Sequence, residues 1–143
     1  MGLGGARRVL DEFEKHTAGR VRFSGINEKD SPTSQRVLAE LKMEMLSAEA
    51  LMTEYINMME TDKGGPYEGA KYKAIRATII DKCTQIGFKA LLTLGGHALL
   101  KGHPVELFTR DLIAIATHIT SLYEDGILGY GRHLFGVQTN IQG

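Results

Sequence analysis

Tryptophan is missing from this sequence, and cysteine occurs once, at Cys83, among 143 residues. A lone cysteine forms no internal disulfide, so the fold must be held by packing, and the pattern fits a reducing cytosol. An excess of either charge is missing too. Seventeen Lys and Arg balance seventeen Asp and Glu, so no net field draws the chain to nucleic acid or to an anionic membrane. Nor does any apolar run approach the ~18 residues expected of a membrane-spanning helix. The opening MGLGGARRVL has no long apolar core and no small-residue cleavage site, so it does not read as a signal peptide. The expectation is a soluble cytoplasmic protein. Strand signals are scarce: only Arg20–Phe23 alternates, and four residues are too few to stand alone.

What is present is helical periodicity between clear breaks. Thr17–Ser34 is rich in Gly, Asp and Ser, Thr61–Gly69 holds Gly64, Gly65 and Pro66 together, and Lys101–Pro104 is a weaker break. Between them Leu41, Met45, Ala48, Met52, Tyr55 and Met59 follow a three-four spacing, the seam of a helix packed lengthwise on its neighbours. Ile79, Cys83, Ile86, Ala90 and Thr93 form a second seam within Tyr67–Lys101, flanked by Ile80, Gly87, Leu91 and Leu94. That wider apolar face predicts contact on two sides. Phe108, Leu112, Ile115, Ile119 and Leu122 predict a fourth helix, and Val9, Leu10 and Phe13 a first one over about Leu3–His16. Pro32, Pro66 and Pro104 stand where prolines suit the first turn of a helix, with Ser31 placed to cap beside Pro32. The fold predicted is all-α, an antiparallel up-down four-helix bundle in a single domain over residues 1–143.

The five histidines are the first places to look for chemistry. His97 and His103 lie six apart across Gly102, without the spacing or acidic companion of a metal site. His16 closes the first helix, where a cation suits the negative end of the helix dipole, and His133 lies in the stretch YGRHLFG. His118 stands out, because Asp111, Ala114 and His118 would share one face of an apolar helix. It is either a buried neutral histidine with its nitrogens satisfied or a general base lining a cavity, since an imidazole titrates near neutrality. Cys83 sits on an apolar seam, which favours a small core residue over a nucleophile. The methionines Met43, Met45, Met52, Met58 and Met59 read as packing, and no metal site is predicted. MGLGGARR is superficially similar to a phosphate loop, but no strand precedes it and the glycine spacing is not met.

Taken together, GGHALLKGHPVELFTRDLIAIATHIT and YGRHLFG resemble the closing helices of the acyl-CoA dehydrogenase superfamily. The carriers are Gly95-Gly96, Pro104-Val105-Glu106 and Arg110-Asp111, in the family's order. The front half is similar as well, through Arg20, Phe23 and Gln35. The resemblance covers nearly the whole chain, and corresponds to the family's C-terminal four-helix domain. The family's N-terminal helical domain and middle β-domain have no counterpart in these residues. Within the superfamily, Tyr123–Gly126 (YEDG) is a poor match to the segment that dehydrogenases carry after the R-D helix. A histidine after the R-D pair, here His118, is similar to the reduced-flavin-dependent monooxygenases.

The resemblance implies a flavin, FMN or FAD, with His118 catalytic: it faces the flavin C4a region in a dry pocket, where it accepts a phenolic proton or stabilises a hydroperoxyflavin. It further implies that Arg20, Phe23 and Gln35 touch the flavin of a neighbouring subunit, and that Gly95 and Gly96 let backbone approach the cofactor. Arg110-Asp111 would clamp helix ends. The implied partners are further copies of the chain, as dimer or tetramer, and a flavin reductase. Taken alone, the domain would not retain flavin or turn over substrate. An acyl-CoA dehydrogenase domain and a non-catalytic helical oligomerisation module are the competing expectations.

Overall fold

The computed structural model describes residues 2–22, 24–61, 66–96, 102–118 and 122–137, the side chains of 66–68 excepted. Among these residues the structure is helical throughout: α1 (Gly2–Gly19), α2 (Pro32–Thr61), α3 (Pro66–Leu94), α4 (Pro104–Ala116) and α5 (Tyr123–Leu134). A short 3-10 turn (Glu28–Asp30) and one isolated bridge, Val21 to Asn27, shape the link from α1 to α2. The alternating Arg20–Phe23 stretch thus makes a bridge and no strand.

Side-chain pairs fix the directions of the helices. Arg7 reaches Glu49 and Lys42 reaches Glu14, so α2 runs antiparallel to α1. Lys82 meets Glu44, Lys89 meets Glu40, and Tyr55 meets Tyr72 edge-on, so α3 runs antiparallel to α2. Leu112 lies beside Gly2 and Gly5, while His103 stacks on His16, so α4 runs antiparallel to α1. α1 to α4 therefore form the up-down bundle that the periodicity predicts. Such exposed ion pairs contribute little energy singly; their value here is in setting orientation.

α3 is the hub, packing on α1, α2, α4 and α5, more neighbours than the two sides that its wide apolar face predicts. The core joins Ala6, Val9, Leu10 and Phe13 with Leu41, Met45 and Ala48, then Ile79, Cys83, Ile86 and Ala90, and closes with Val105 and Leu112. At ~25 cal/mol per Å² of apolar surface, this burial is the main force holding the helices together. Two glycines set how closely helices approach. A Cβ on Gly87 would lie 2.8 Å from Thr109 Oγ1, so the α3–α4 crossing needs the hydrogen there. A Cβ on Gly126 would lie 3.1 Å from Ala77 Cβ and from the Lys73 carbonyl, so α5 rides on the N-terminal half of α3.

The structure departs from the periodicity in three places. In α2 it is Met58 that is buried, while Met59 is 58% exposed. Glu40, Glu44 and Glu54 lie on the side of α2 turned to α3, with Met58 one helical turn beyond Glu54, whereas Lys42 and Glu49 face α1. α1 begins at Gly2, which the Arg7–Glu49 and Glu14–Lys42 pairs set opposite the last quarter of α2, so α1 does not reach the final turns of α2. The fourth helix stops at Ala116 instead of Leu122, with Thr117 closing it through its N–H to the Ile113 carbonyl. Beyond it stands a fifth helix, α5, which holds Tyr123-Glu124-Asp125-Gly126 in its first turn and has no buried residue.

Candidate functional site

The loop between α1 and α2 is built on one carboxylate. Arg22 grips Glu28 with two bonds, Nε to Oε2 at 2.5 Å and Nη2 to Oε1 at 3.0 Å. The Ser34 hydroxyl donates to Glu28 Oε1 at 2.6 Å, and Arg22 Nη2 also donates to Ser31 Oγ at 3.1 Å. Ser31 stands where a cap was expected: its carbonyl accepts the Gln35 N–H at 2.9 Å, while its hydroxyl serves Arg22. The bidentate guanidinium, with Ser34 second, holds the Glu28 carboxyl down at about 2, well below the ordinary range. Gly25, at φ 82°, supplies the reversal at the loop tip.

This loop lies at the same end of the bundle as the close of α3. Arg20 Nη1 donates to the Leu94 carbonyl at 3.3 Å, which ties the loop to the last turn of α3 and the Gly95-Gly96 turn that follows. Gln35 Nε2 donates to the Lys29 carbonyl at 3.0 Å, and both Arg20 and Gln35 are exposed. Four of the five expected cofactor residues, Arg20, Gln35, Gly95 and Gly96, are thus brought to one end; Phe23 lies outside the described residues. The reason for Gly95 differs from the expectation. Its φ of 79° marks the left-handed residue that closes α3, and a Cβ on Gly95 or Gly96 would meet none of the described residues within 4 Å. Within this chain, then, neither glycine answers to a crowded approach. A guanidinium and a carboxamide on an open edge form a donor set that suits the acceptor-rich phosphate and ring carbonyls of a flavin.

His118 stands at the other end. α4 spans 13 residues, about 20 Å of helix, between His103 at its start and the turn holding His118. The imidazole is not on the apolar face of a helix. The residue follows the helix end, exposed, with its backbone N–H bonded to the Ile115 carbonyl at 3.1 Å. The apolar spacing carried the helix on through His118, whereas α4 ends two residues before it. Ile119 lies outside the described residues. Among the described residues Arg110 and Asp111 form no clamp between helix ends; Arg110 lies 3.7 Å from Glu106 on its own helix, and Asp111 is exposed.

Cys83 is fully buried, and burial pushes its thiol up to about 11, so it is a core residue and no nucleophile. His97 lies outside the described residues, and His133 sits half-buried in α5. Among the described residues no cluster of three or more His, Cys, Asp or Glu is placed to hold a metal, and no helix is long and apolar enough to cross a membrane. One role escaped the sequence reading: His103 caps α4, its Nδ1 accepting from the Val105 N–H at 3.2 Å. Its place just before Pro104 was the available signal.

Comparison with known proteins agrees with this helical fold. The family model described as acyl-CoA dehydrogenase, C-terminal domain, matches residues 1–122. No protein of curated function matches the sequence. XiaF from Streptomyces sp., solved with FADH2 and glycerol, superposes over 99% of the chain at a TM-score of 0.89 and 15% identity. The 3-HSA hydroxylase from Rhodococcus sp. RHA1 covers 98% at 0.84 and 21% identity. Glutaryl-CoA dehydrogenase from Mycobacterium smegmatis covers 98% at 0.81 and 20% identity. At these identities the likeness is one of fold. The chain spans 35–38% of the length of these three proteins.

Proposed function

The chain belongs to the acyl-CoA dehydrogenase C-terminal domain family, and from that premise we propose that it is the flavin-proximal, oligomerising domain of a flavin-dependent oxidoreductase, a reduced-flavin-dependent hydroxylase. One observation supports this reading most. Arg20, Gln35 and the Gly95-Gly96 turn meet on one exposed polar edge, held there by the Arg20–Leu94 bond. His118 lies about one α4 length away, ~20 Å, so the two sets serve two flavins: His118 that of its own subunit, Arg20 and Gln35 that of a neighbour. The three similar structures favour this branch in part, one holding FADH2 and one being a hydroxylase.

The residues have simple tasks. Arg20 and Gln35 donate to acceptor atoms and orient the cofactor. A ring nitrogen of His118 takes the proton from a phenolic hydroxyl as it is hydroxylated, a task that imidazole suits near neutral pH. Reduced flavin, when bound, supplies the electrons and, with dioxygen, the oxygen atom. His118 is exposed in this chain, so exclusion of water has to come from the family's other domains closing over it. Homo-oligomerisation has its own support: α5 has no buried residue and exposes Ile127, Leu128, Leu134 and Phe135. The reductase partner and the choice between FMN and FAD follow the hydroxylase reading.

The test uses the complete enzyme that carries this domain. His118→Ala lowers hydroxylation by ~10²-fold or more, or uncouples flavin oxidation from it, with helicity unchanged by circular dichroism. Coupled turnover that survives the substitution removes His118 from the mechanism. The likeness to glutaryl-CoA dehydrogenase supports a second reading, an acyl-CoA dehydrogenase domain. Reduction of a dye acceptor by acyl-CoA, with no reduced flavin supplied, selects that reading.

A further inference from the structure

We propose that Glu28 is a positioning residue for the Arg20 and Gln35 donors, fixing where the two stand on the polar edge. The loop between them has little else to hold it. Where described, residues 20–30 are exposed apart from partly buried Glu28, and the 3-10 turn Glu28–Asp30 buries no residue. Apolar burial therefore does not order this segment, and ordering it costs conformational entropy. Polar bonds supply the order, and they converge on Glu28.

Both donors are tied to this residue. The Glu28 backbone N–H donates to the Arg20 carbonyl at 2.9 Å, and the Arg22 N–H donates to the Ile26 carbonyl at 2.8 Å. These two rungs, with the Val21–Asn27 bridge between them, make a small antiparallel ladder. The Glu28 carboxylate grips Arg22 of that ladder and also takes the Ser34 hydroxyl at 2.6 Å. Ser34 is buried and directly precedes Gln35. Gln35 is anchored in the turn that Glu28 opens, by Nε2 to the Lys29 carbonyl at 3.0 Å. One carboxylate thus joins the arm carrying Arg20 to the start of α2 carrying Gln35. A guanidinium has five N–H donors and a carboxamide two, so these bonds leave both side chains able to reach a cofactor.

Position and charge make opposite predictions at this site. Arg22 first, Ser34 next and Arg20 last, through its charge, favour the ionised Glu28 carboxyl. By charge alone, removing a carboxylate that lies near Arg20 would tighten the binding of flavin phosphate. If Glu28 sets the positions of Arg20 and Gln35, removing it weakens that binding. The inference rests on the reading of these two residues as flavin donors.

The test is a double-mutant cycle in the complete enzyme that carries this domain, freed of flavin and titrated anaerobically by calorimetry. Reduced FAD and reduced FMN are the probes, each on its own. Arg20→Gln raises the Kd about tenfold or more, the loss of a charge-assisted donor. Glu28→Gln raises it about three- to tenfold, and the two together are no weaker than about Arg20→Gln alone. Arg22→Lys, which keeps the charge and loses the fork, acts in the same direction. In hydrogen exchange without flavin, Glu28→Gln speeds the amides of residues 28, 31 and 35, while those of Leu41 to Ala48 keep their protection. An unchanged or lower Kd in Glu28→Gln overturns the inference. So does full additivity with Arg20→Gln, or exchange that rises equally over Leu41 to Ala48. A wild-type Kd in Arg20→Gln, or no flavin taken up by the wild type, sinks the flavin-donor reading and the inference with it. If Glu28→Gln does not fold, Arg22→Lys paired with Arg20→Gln decides on the same terms.

Discussion

Replacing Gly87 with alanine is the sharpest test of how α3 and α4 are packed. The new Cβ would lie 2.8 Å from Thr109 Oγ1, 2.9 Å from its Cγ2 and 3.2 Å from its Cβ. Thr109 is fully buried, so its side chain has no free space to move into. Overpacking of this kind costs about 1–3 kcal/mol. Alanine recovers about 1 kcal/mol of helix propensity over glycine. The difference is a net loss near 1 kcal/mol, with α3 and α4 pushed apart. Thr109→Ala removes both clashing atoms, and with them a hydroxyl that is buried without a hydrogen-bond partner among the described residues. That substitution alone is close to neutral, because the lost methyl contact and the relieved polar group offset each other. In the Thr109→Ala background Gly87→Ala should then stabilise by about 0.5–1 kcal/mol, the propensity gain alone. The coupling is about 2 kcal/mol, well above the ~0.3–0.5 kcal/mol scatter of independent sites. Urea unfolding of the four variants, followed by helical circular dichroism, measures it. Equal effects of Gly87→Ala in the two backgrounds would refute the reasoning, as would stabilisation in the wild type.

Two further predictions concern ionisation. The Glu28 carboxyl is held near 2 by Arg22, so the clamp's contribution is complete above the ordinary carboxylate pKa of 4.5 and fades as pH falls toward about 2. Glu28→Gln is therefore less stable than wild type at pH 7, and the gap closes between pH 5 and 2; a constant gap in thermal melts would count against the clamp. The Cys83 thiol is raised to about 11, so at pH 8 its thiolate fraction is ~10⁻³ and a disulfide reagent labels it only after unfolding. The same raised value means that stability declines as pH climbs from about 9 through about 11, because the unfolded chain releases the proton first. Rapid labelling of the native protein would contradict its burial.

The seams were legible because burial along a straight helix repeats with the helix period. Val9, Leu10 and Phe13, Leu41, Met45 and Ala48, and Ile79, Cys83, Ile86 and Ala90 are all buried as the spacing predicts. The expected cofactor-binding positions came only from resemblance, since no local pattern distinguishes Arg20 or Gln35 from other polar residues. Met58 was not legible, because the side of α2 that is buried there depends on where α1 begins. His118 was misplaced for a related reason: apolar spacing runs on through Ile119 and Leu122, but the helix stops at Ala116.

The sequence by itself determined the helical class, the up-down order of the first four helices and the residues of their core. Helix period, prolines and glycine-rich breaks are local signals, carried by near neighbours along the chain. Only the tertiary structure decided that Arg20 closes on Leu94, that His103 caps α4 against His16, and that His118 stands outside the core. Each of these depends on residues far apart in the chain meeting, or on where a helix ends, and the spacing of side chains along one helix carries neither.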